Sequence, residues 1–117
     1  MLLEDRIVKF AAQCVKTCAM LPIKSVGSAS FADQMFRSAT SVAANYAEAC
    51  EAESSKDFVH KLKIAMKELS ETRIWLKLIG ESGYIENAKL VDLITESKEL
   101  SRILSASVTT TKKRIRG

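Results

Sequence analysis

From Leu3 to Val108 the apolar residues recur at steps of three and four in four separate runs, and no stretch alternates apolar with polar. Such spacing keeps one face of an α-helix apolar, whereas a half-buried strand needs a period of two. The first run, Leu3, Ile7, Phe10, Cys14, Cys18 and Leu21, is stopped by Pro22. "PIKSVGSAS" then has loop chemistry, and the second helix is expected to begin at Ser30, with Asp33 facing the free amides of its first turn. Its core stripe is Met35, Ala39, Val42, Tyr46 and Ala49. The cap-like pair Ser54 and Asp57 opens the third helix, which buries Phe58, Leu62, Ala65, Leu69 and Leu76 and is expected to stop near Gly80. The fourth carries Leu90, Leu93, Ile94, Leu100, Leu104 and Val108, with fraying expected from the β-branched "VTTT" onward. Short second and third connections predict an all-α, antiparallel up-down-up-down four-helix bundle over residues 1–111, with a short basic tail at 112–117.

Length and composition agree with that architecture. A chain of 117 residues fills one domain, and its single Pro and four Gly leave few helix breakers. The net charge of +4 suggests an acidic partner, but four of the 18 basic residues are Lys112, Lys113, Arg114 and Arg116, so 14 remain before them against 14 acidic residues. The body is neutral, and the tail is either a solvated, frayed end or a dedicated binding arm. "MLLEDRIVKF" does not read as a signal peptide and no uncharged run approaches a membrane span, so a cytoplasmic protein without membrane association is expected. Cys14, Cys18 and Cys50 read as buried inert thiols. Together with His60 they match no common zinc spacing.

"RSATSVAANYAEAC" fills the middle of the second helix with small residues. Ala39, Ala43 and Ala47, with Ser38 and Ser41 beside them, allow another backbone to approach closely, so this helix is expected to lie deep in the bundle. Asn45 and Glu48 are then expected to be structural and partly buried, holding the helix in register. The other reading makes Ser38, Ser41, Asn45 and Glu48 the wet face of an amphipathic helix.

The third helix has apolar residues beyond its core stripe. Ile64, Trp75 and Leu78 fall on a different side, and "IWLKLI", which includes Ile74, is apolar nearly all round. Either the core stripe is wide and Trp75 lies flat on the surface, or Ile64, Ile74, Trp75 and Leu78 form a subunit interface, which is the reading preferred here. Lys56, His60, Lys63 and Lys67 fall within a sector of about 60° on the same helix. This stripe can face a nucleic-acid backbone or simply water, and Glu68 and Glu71 dilute it. One His, no glycine-rich phosphate loop and no nucleophile on a strand-turn-helix leave catalysis without its usual parts, so neither an enzyme nor a cofactor is expected.

"QMFRSATSVAANYAEAC" and "SSKDFVHKLKIAMKELSETRIWLKLIGESGYI" together resemble the helix-two and helix-three signatures of the small four-helix bundle proteins encoded by intervening sequences of bacterial 23S ribosomal RNA genes. In the first, an Arg precedes small residues, a Ser, a branched apolar residue and Asn. In the second, Ser-Lys stands ahead of an aromatic, with a mid-helix Ala and a Glu-rich turn before the last apolar stretch. Many relatives have Gly where this chain has Ala49. The resemblance implies a left-handed four-helix bundle that assembles as a ring, typically a homopentamer. It is more distantly similar to the accessory protein of diversity-generating retroelements, a more basic pentameric branch implicated in binding nucleic acid and reverse transcriptase. The resulting expectation is a non-catalytic homo-oligomer that binds RNA or DNA weakly through the Lys56, His60, Lys63 and Lys67 stripe and the basic tail. The alternative is a protein-interaction scaffold.

Overall fold

A computed structural model describes residues 1–22 and 26–117. It contains four helices, α1 (Leu3–Ala19), α2 (Val26–Cys50), α3 (Ser55–Glu81) and α4 (Asn87–Arg116), and no strand among the described residues. Each helix packs on its neighbours in the chain, and α1 closes more lightly on α4. Contacts run in opposite senses along α2 and α3: Phe31 near the start of α2 meets Trp75 late in α3, and Glu48 near the end of α2 meets Lys61 early in α3. The course is therefore the expected antiparallel bundle, an elongated body of 53 × 23 × 22 Å.

The core runs the length of the bundle through Ile7, Phe10, Met35, Leu62, Leu69, Leu76, Leu100 and Leu104. Ile79 and Val59 belong to it as well, although neither lies on the predicted stripe. The small residues of α2 act chiefly toward α3: Ser38 is fully buried, and its hydroxyl lies 2.8 Å from that of Thr72, which also donates to the Glu68 carbonyl at 2.8 Å. Of the alanines, Ala39 is buried, Ala43 half-buried and Ala47 exposed, so only part of the stretch is deep.

The start of α2 and the end of α4 differ from the sequence reading, and α3 ends at Glu81 as expected but with a different glycine reversing the chain. Helix α2 begins at Val26 rather than Ser30, which is exposed within the helix. Buried Ser28 donates its hydroxyl to the Pro22 carbonyl, tying the first turns of α2 back to the end of α1. Residues 23–25 of the expected loop lie outside the described residues. Gly80 does not stop α3. It lies inside the helix where α4 starts, and a Cβ there would meet the Asn87 side chain at 2.0 Å and Leu90 at 3.2 Å. The stop comes at Gly83, whose φ of 79° reverses the chain, with Tyr84 N–H donating to the Ile79 carbonyl and Gly83 N–H to that of Gly80. Nor does "VTTT" fray: α4 continues through Arg116, so residues 112–116 are its last turns rather than a separate tail. Buried Val108 anchors that end to the core, and Lys113, Arg114 and Arg116 stand where cations offset the negative pole of a helix.

Candidate nucleic-acid interface

The Ser54 hydroxyl accepts the Asp57 N–H at 3.0 Å and so caps the start of α3, as expected from the sequence. From that fixed start, Lys56, His60, Lys63 and Lys67 all project outward and are exposed. Because α4 runs antiparallel to α3, its end returns to the same region. Phe58 and Arg114 line one groove, and the Lys112 ammonium meets that of Lys63. This contact holds Lys112 below the ordinary lysine value, and nearby Arg116 acts in the same direction. Two segments about fifty residues apart in sequence thus deliver their cations to one end of the bundle. None of Lys56, His60, Lys63, Lys67, Lys112, Lys113, Arg114 and Arg116 forms an ion pair among the described residues.

The acids that seemed to dilute the stripe are engaged elsewhere. Arg37 on α2 donates to Glu68 at 3.0 Å and to Glu71, forking across to α3. These hydrogen bonds, Glu71 first, raise the Arg37 pKa. A groove of about 490 Å³ also opens between Phe58 and α4, lined by Ile103, Ser107, Thr110, Thr111 and Arg114. Its one trace in the sequence is the recurrence of Ser107, Thr110, Thr111 and Arg114 at helical spacing.

The remaining candidates separate. Ile74 and Leu78 are 52% and 40% exposed on the same outward face of α3 as the lysines, while Ile64 is half-buried. Trp75 does not lie flat on the surface: it packs against the core, 5.9 Å from Phe31, and its buried indole N–H finds no acceptor among the described residues. Asn45 is half-buried and donates to the Ser41 carbonyl and hydroxyl, both at 2.9 Å on its own helix. Glu48 is not buried: its side chain is 58% exposed and lies 3.7 Å from Lys61. The buried polar pair that joins α2 to α3 is instead Ser38 with Thr72.

All three cysteines are free, but only Cys14 is buried, while Cys18 is half-buried and Cys50 exposed. Cys18 donates weakly to the Ala32 carbonyl at 3.5 Å. Among the described residues no group of three or more His, Cys, Asp or Glu side chains comes together as a metal site, and no helix is long and apolar enough to cross a membrane.

The chain matches the 23S rRNA-intervening sequence protein family over residues 4–106. It is a small four-helix protein of that family, and the match spans most of all four helices. A solved relative is a protein of unknown function from the S23 ribosomal protein family of Bacteroides thetaiotaomicron VPI-5482. It is 32% identical, with a TM-score of 0.84, and the similarity covers 92% of this chain and 98% of that one. No curated protein matches the sequence.

Proposed function

We propose that the protein is a non-catalytic homo-oligomeric module that holds nucleic-acid backbones weakly and without sequence preference. The observation that carries this reading is the set of unpaired cations at one end of the bundle, with Lys63 set against Lys112. Like charges in contact favour an anion between them, and flexible lysines suit phosphates better than base edges. The exposed Ile74 and Leu78 support assembly, and the family resemblance favours a ring of five. Repetition of a modest cation cluster in such a ring raises the effective concentration of every further contact with one polyanion.

Fluorescence anisotropy with labelled single- and double-stranded oligonucleotides tests the reading. Binding is expected at low salt, falling steeply as salt rises because counterion release loses its drive. Lys63→Glu and Lys112→Glu should each weaken it. Absence of binding at low salt removes the nucleic-acid role and leaves a protein-interaction scaffold. Complete loss on deleting residues 112–117 alone, with Lys63→Glu silent, removes the α3 stripe from the site.

A further inference from the structure

One side of α4 is covered by α1 in its early turns and bare in its late ones. At Glu96 that side meets Arg6, which donates to both carboxylate oxygens at 2.7 Å and also acts on Glu99, one turn further along. Cys18 meets Ala32 early in α2 and Glu4 acts on Tyr46 late in it, so α1 runs against α2 and, through α3, against α4 as well. The start of α1 therefore points toward the late turns of α4. Helix α1 begins at Leu3, a rise of only about 4.5 Å beyond Arg6, whereas Ile103 lies about 10.5 Å beyond Glu96 along α4. Ile103, Ser107, Thr110 and Arg114 continue the Glu96 stripe at steps of seven, four, three and four. The groove of about 490 Å³ follows them, and no residue of α1 lines it.

The lining combines two chemistries. Phe58, half-buried against the core, and Ile103 are apolar, while Ser107, Thr110 and Thr111 supply hydroxyls. Arg114 is exposed and forms no ion pair among the described residues. Arg102 also borders the groove, but Glu99 accepts from it at 3.2 Å and holds it. No carboxylate lines the groove among the described residues, and Asp57, which precedes Phe58, lies about 100° away round α3. Phe58 stands five residues before Lys63, about 140° from it round the same helix. The groove and the lysine stripe thus open on different sides of α3 and share the cations at the end of α4.

We infer that this groove takes one unstacked base of a single-stranded nucleic acid, with the base face on Phe58 and an adjoining phosphate on Arg114. This deepens the nucleic-acid reading given above and rests on it. An aromatic ring accepts the flat face of any base, so the contact adds affinity without sequence preference. Hydroxyls both donate and accept, which lets Ser107, Thr110 and Thr111 meet the edges of different bases. The volume is within the range of pockets that enclose small organic groups. Neighbouring phosphates of the strand fall to Lys112, Lys113 and Arg116 on the same last turns of α4. Other anions match less well. An inorganic phosphate or an acidic side chain would use Arg114 and leave Phe58 and Ile103 without a partner. A duplex keeps its bases stacked inside and offers the groove nothing unless one is extruded.

Fluorescence anisotropy with three labelled probes of one length tests this: a single-stranded oligodeoxynucleotide, its duplex, and an abasic strand that keeps the phosphates but has no bases. The wild type should bind the base-bearing strand about five-fold or more tightly than the abasic one, the effect of stacking a single base. Phe58→Leu should erase that margin while leaving the abasic strand, the duplex and their salt slopes unchanged. Lys63→Glu should weaken all three probes, because it removes a contact with the backbone. Circular dichroism checks the fold of each variant. Should Phe58→Leu lose helix content, Ser107→Leu carries the test, since it fills the groove from α4 without altering a charge and should erase the same margin. Equal binding of base-bearing and abasic strands by the wild type overturns the base groove and leaves the backbone reading standing. A margin that survives in the folded variants overturns it too. Absence of binding by every probe at low salt overturns the nucleic-acid reading itself.

Discussion

The Ser38–Thr72 pair is the internal contact whose removal the structure predicts in most detail. The Ser38 hydroxyl can donate to Thr72 Oγ1 at 2.8 Å while Thr72 donates to the Glu68 carbonyl, and both side chains are fully buried. Thr72→Val keeps the shape but removes the acceptor, leaving Ser38 only the Met35 carbonyl at 3.3 Å. That weaker bond should recover part of the loss, so about 1–2 kcal/mol is expected from stranding a buried hydroxyl. Ser38→Ala should cost about 1 kcal/mol, because Thr72 keeps its bond to Glu68. The double variant leaves no polar side chain unsatisfied at this crossing, and its cost should fall short of the sum by about 1 kcal/mol. Urea titrations at one fixed protomer concentration measure all four corners of the cycle, the concentration being held because any self-association would also contribute stability. Additive costs would refute the reasoning, since they would mean that the two hydroxyls act independently.

Two other outcomes follow from local geometry. Burial pushes the Cys14 thiol up to about 12, from an ordinary 9.0. Its folded value is raised, so its contribution to stability is complete below pH 9 and is lost as the pH climbs toward 12. At 1.36 kcal/mol per unit the full loss approaches about 4 kcal/mol, and the difference between wild type and Cys14→Ala in denaturation series at pH 7 and 10.5 should shrink at the higher pH. Gly83→Ala should lower the urea midpoint by the equivalent of about 1–2 kcal/mol with an unchanged slope, because a side chain at φ 79° is strained although nothing lies within 4 Å of its Cβ.

The helical runs were legible because each core stripe repeats often enough to define a face, and the start of α3 was legible because a Ser with an Asp three residues on satisfies free amides locally. The start of α2 was not. Gly27, Ser28 and Ser30 carry weak helix propensity, yet the first turns are held by a tertiary bond from Ser28 to Pro22 that no local pattern records. Gly80 and Gly83 stand three apart, and a glycine can mark a helix end or a close crossing. Only the packed position of Asn87 and Leu90 tells the two apart. Ser38 and Thr72 lie 34 residues apart, and a serine among alanines reads equally well as wet or buried until its partner is placed. For the candidate site, the outward lysines were readable from spacing alone. The return of α4 to meet them was missed because the β-branched "VTTT" argued for an end that buried Val108 prevents.

Charge on the outer face of α3 shows why the surface field does not follow from the order of residues. In sequence, Glu68 and Glu71 follow Lys63 and Lys67 closely enough to cancel them. In the bundle, Arg37 reaches from α2 and draws both carboxylates toward the α2 side. One guanidinium against two carboxylates leaves a single negative charge at that fork. Lys56, Lys63 and Lys67 exceed it, and Lys112 adds to them from α4. Interactions at this range act within a Debye length of about 8 Å at physiological salt, so side-chain direction outweighs a composition count. The neutral body inferred from 14 basic and 14 acidic residues before the last turns of α4 thus conceals a local excess of base on α3, where Lys56, Lys61, Lys63, Lys67, Arg73 and Lys77 stand against Asp57, Glu68, Glu71 and Glu81. That local excess, joined from the last turns of α4 by Lys112, Lys113, Arg114 and Arg116, is the field that a polyanion approaching this end of the bundle would meet, which a count over the whole chain averages away.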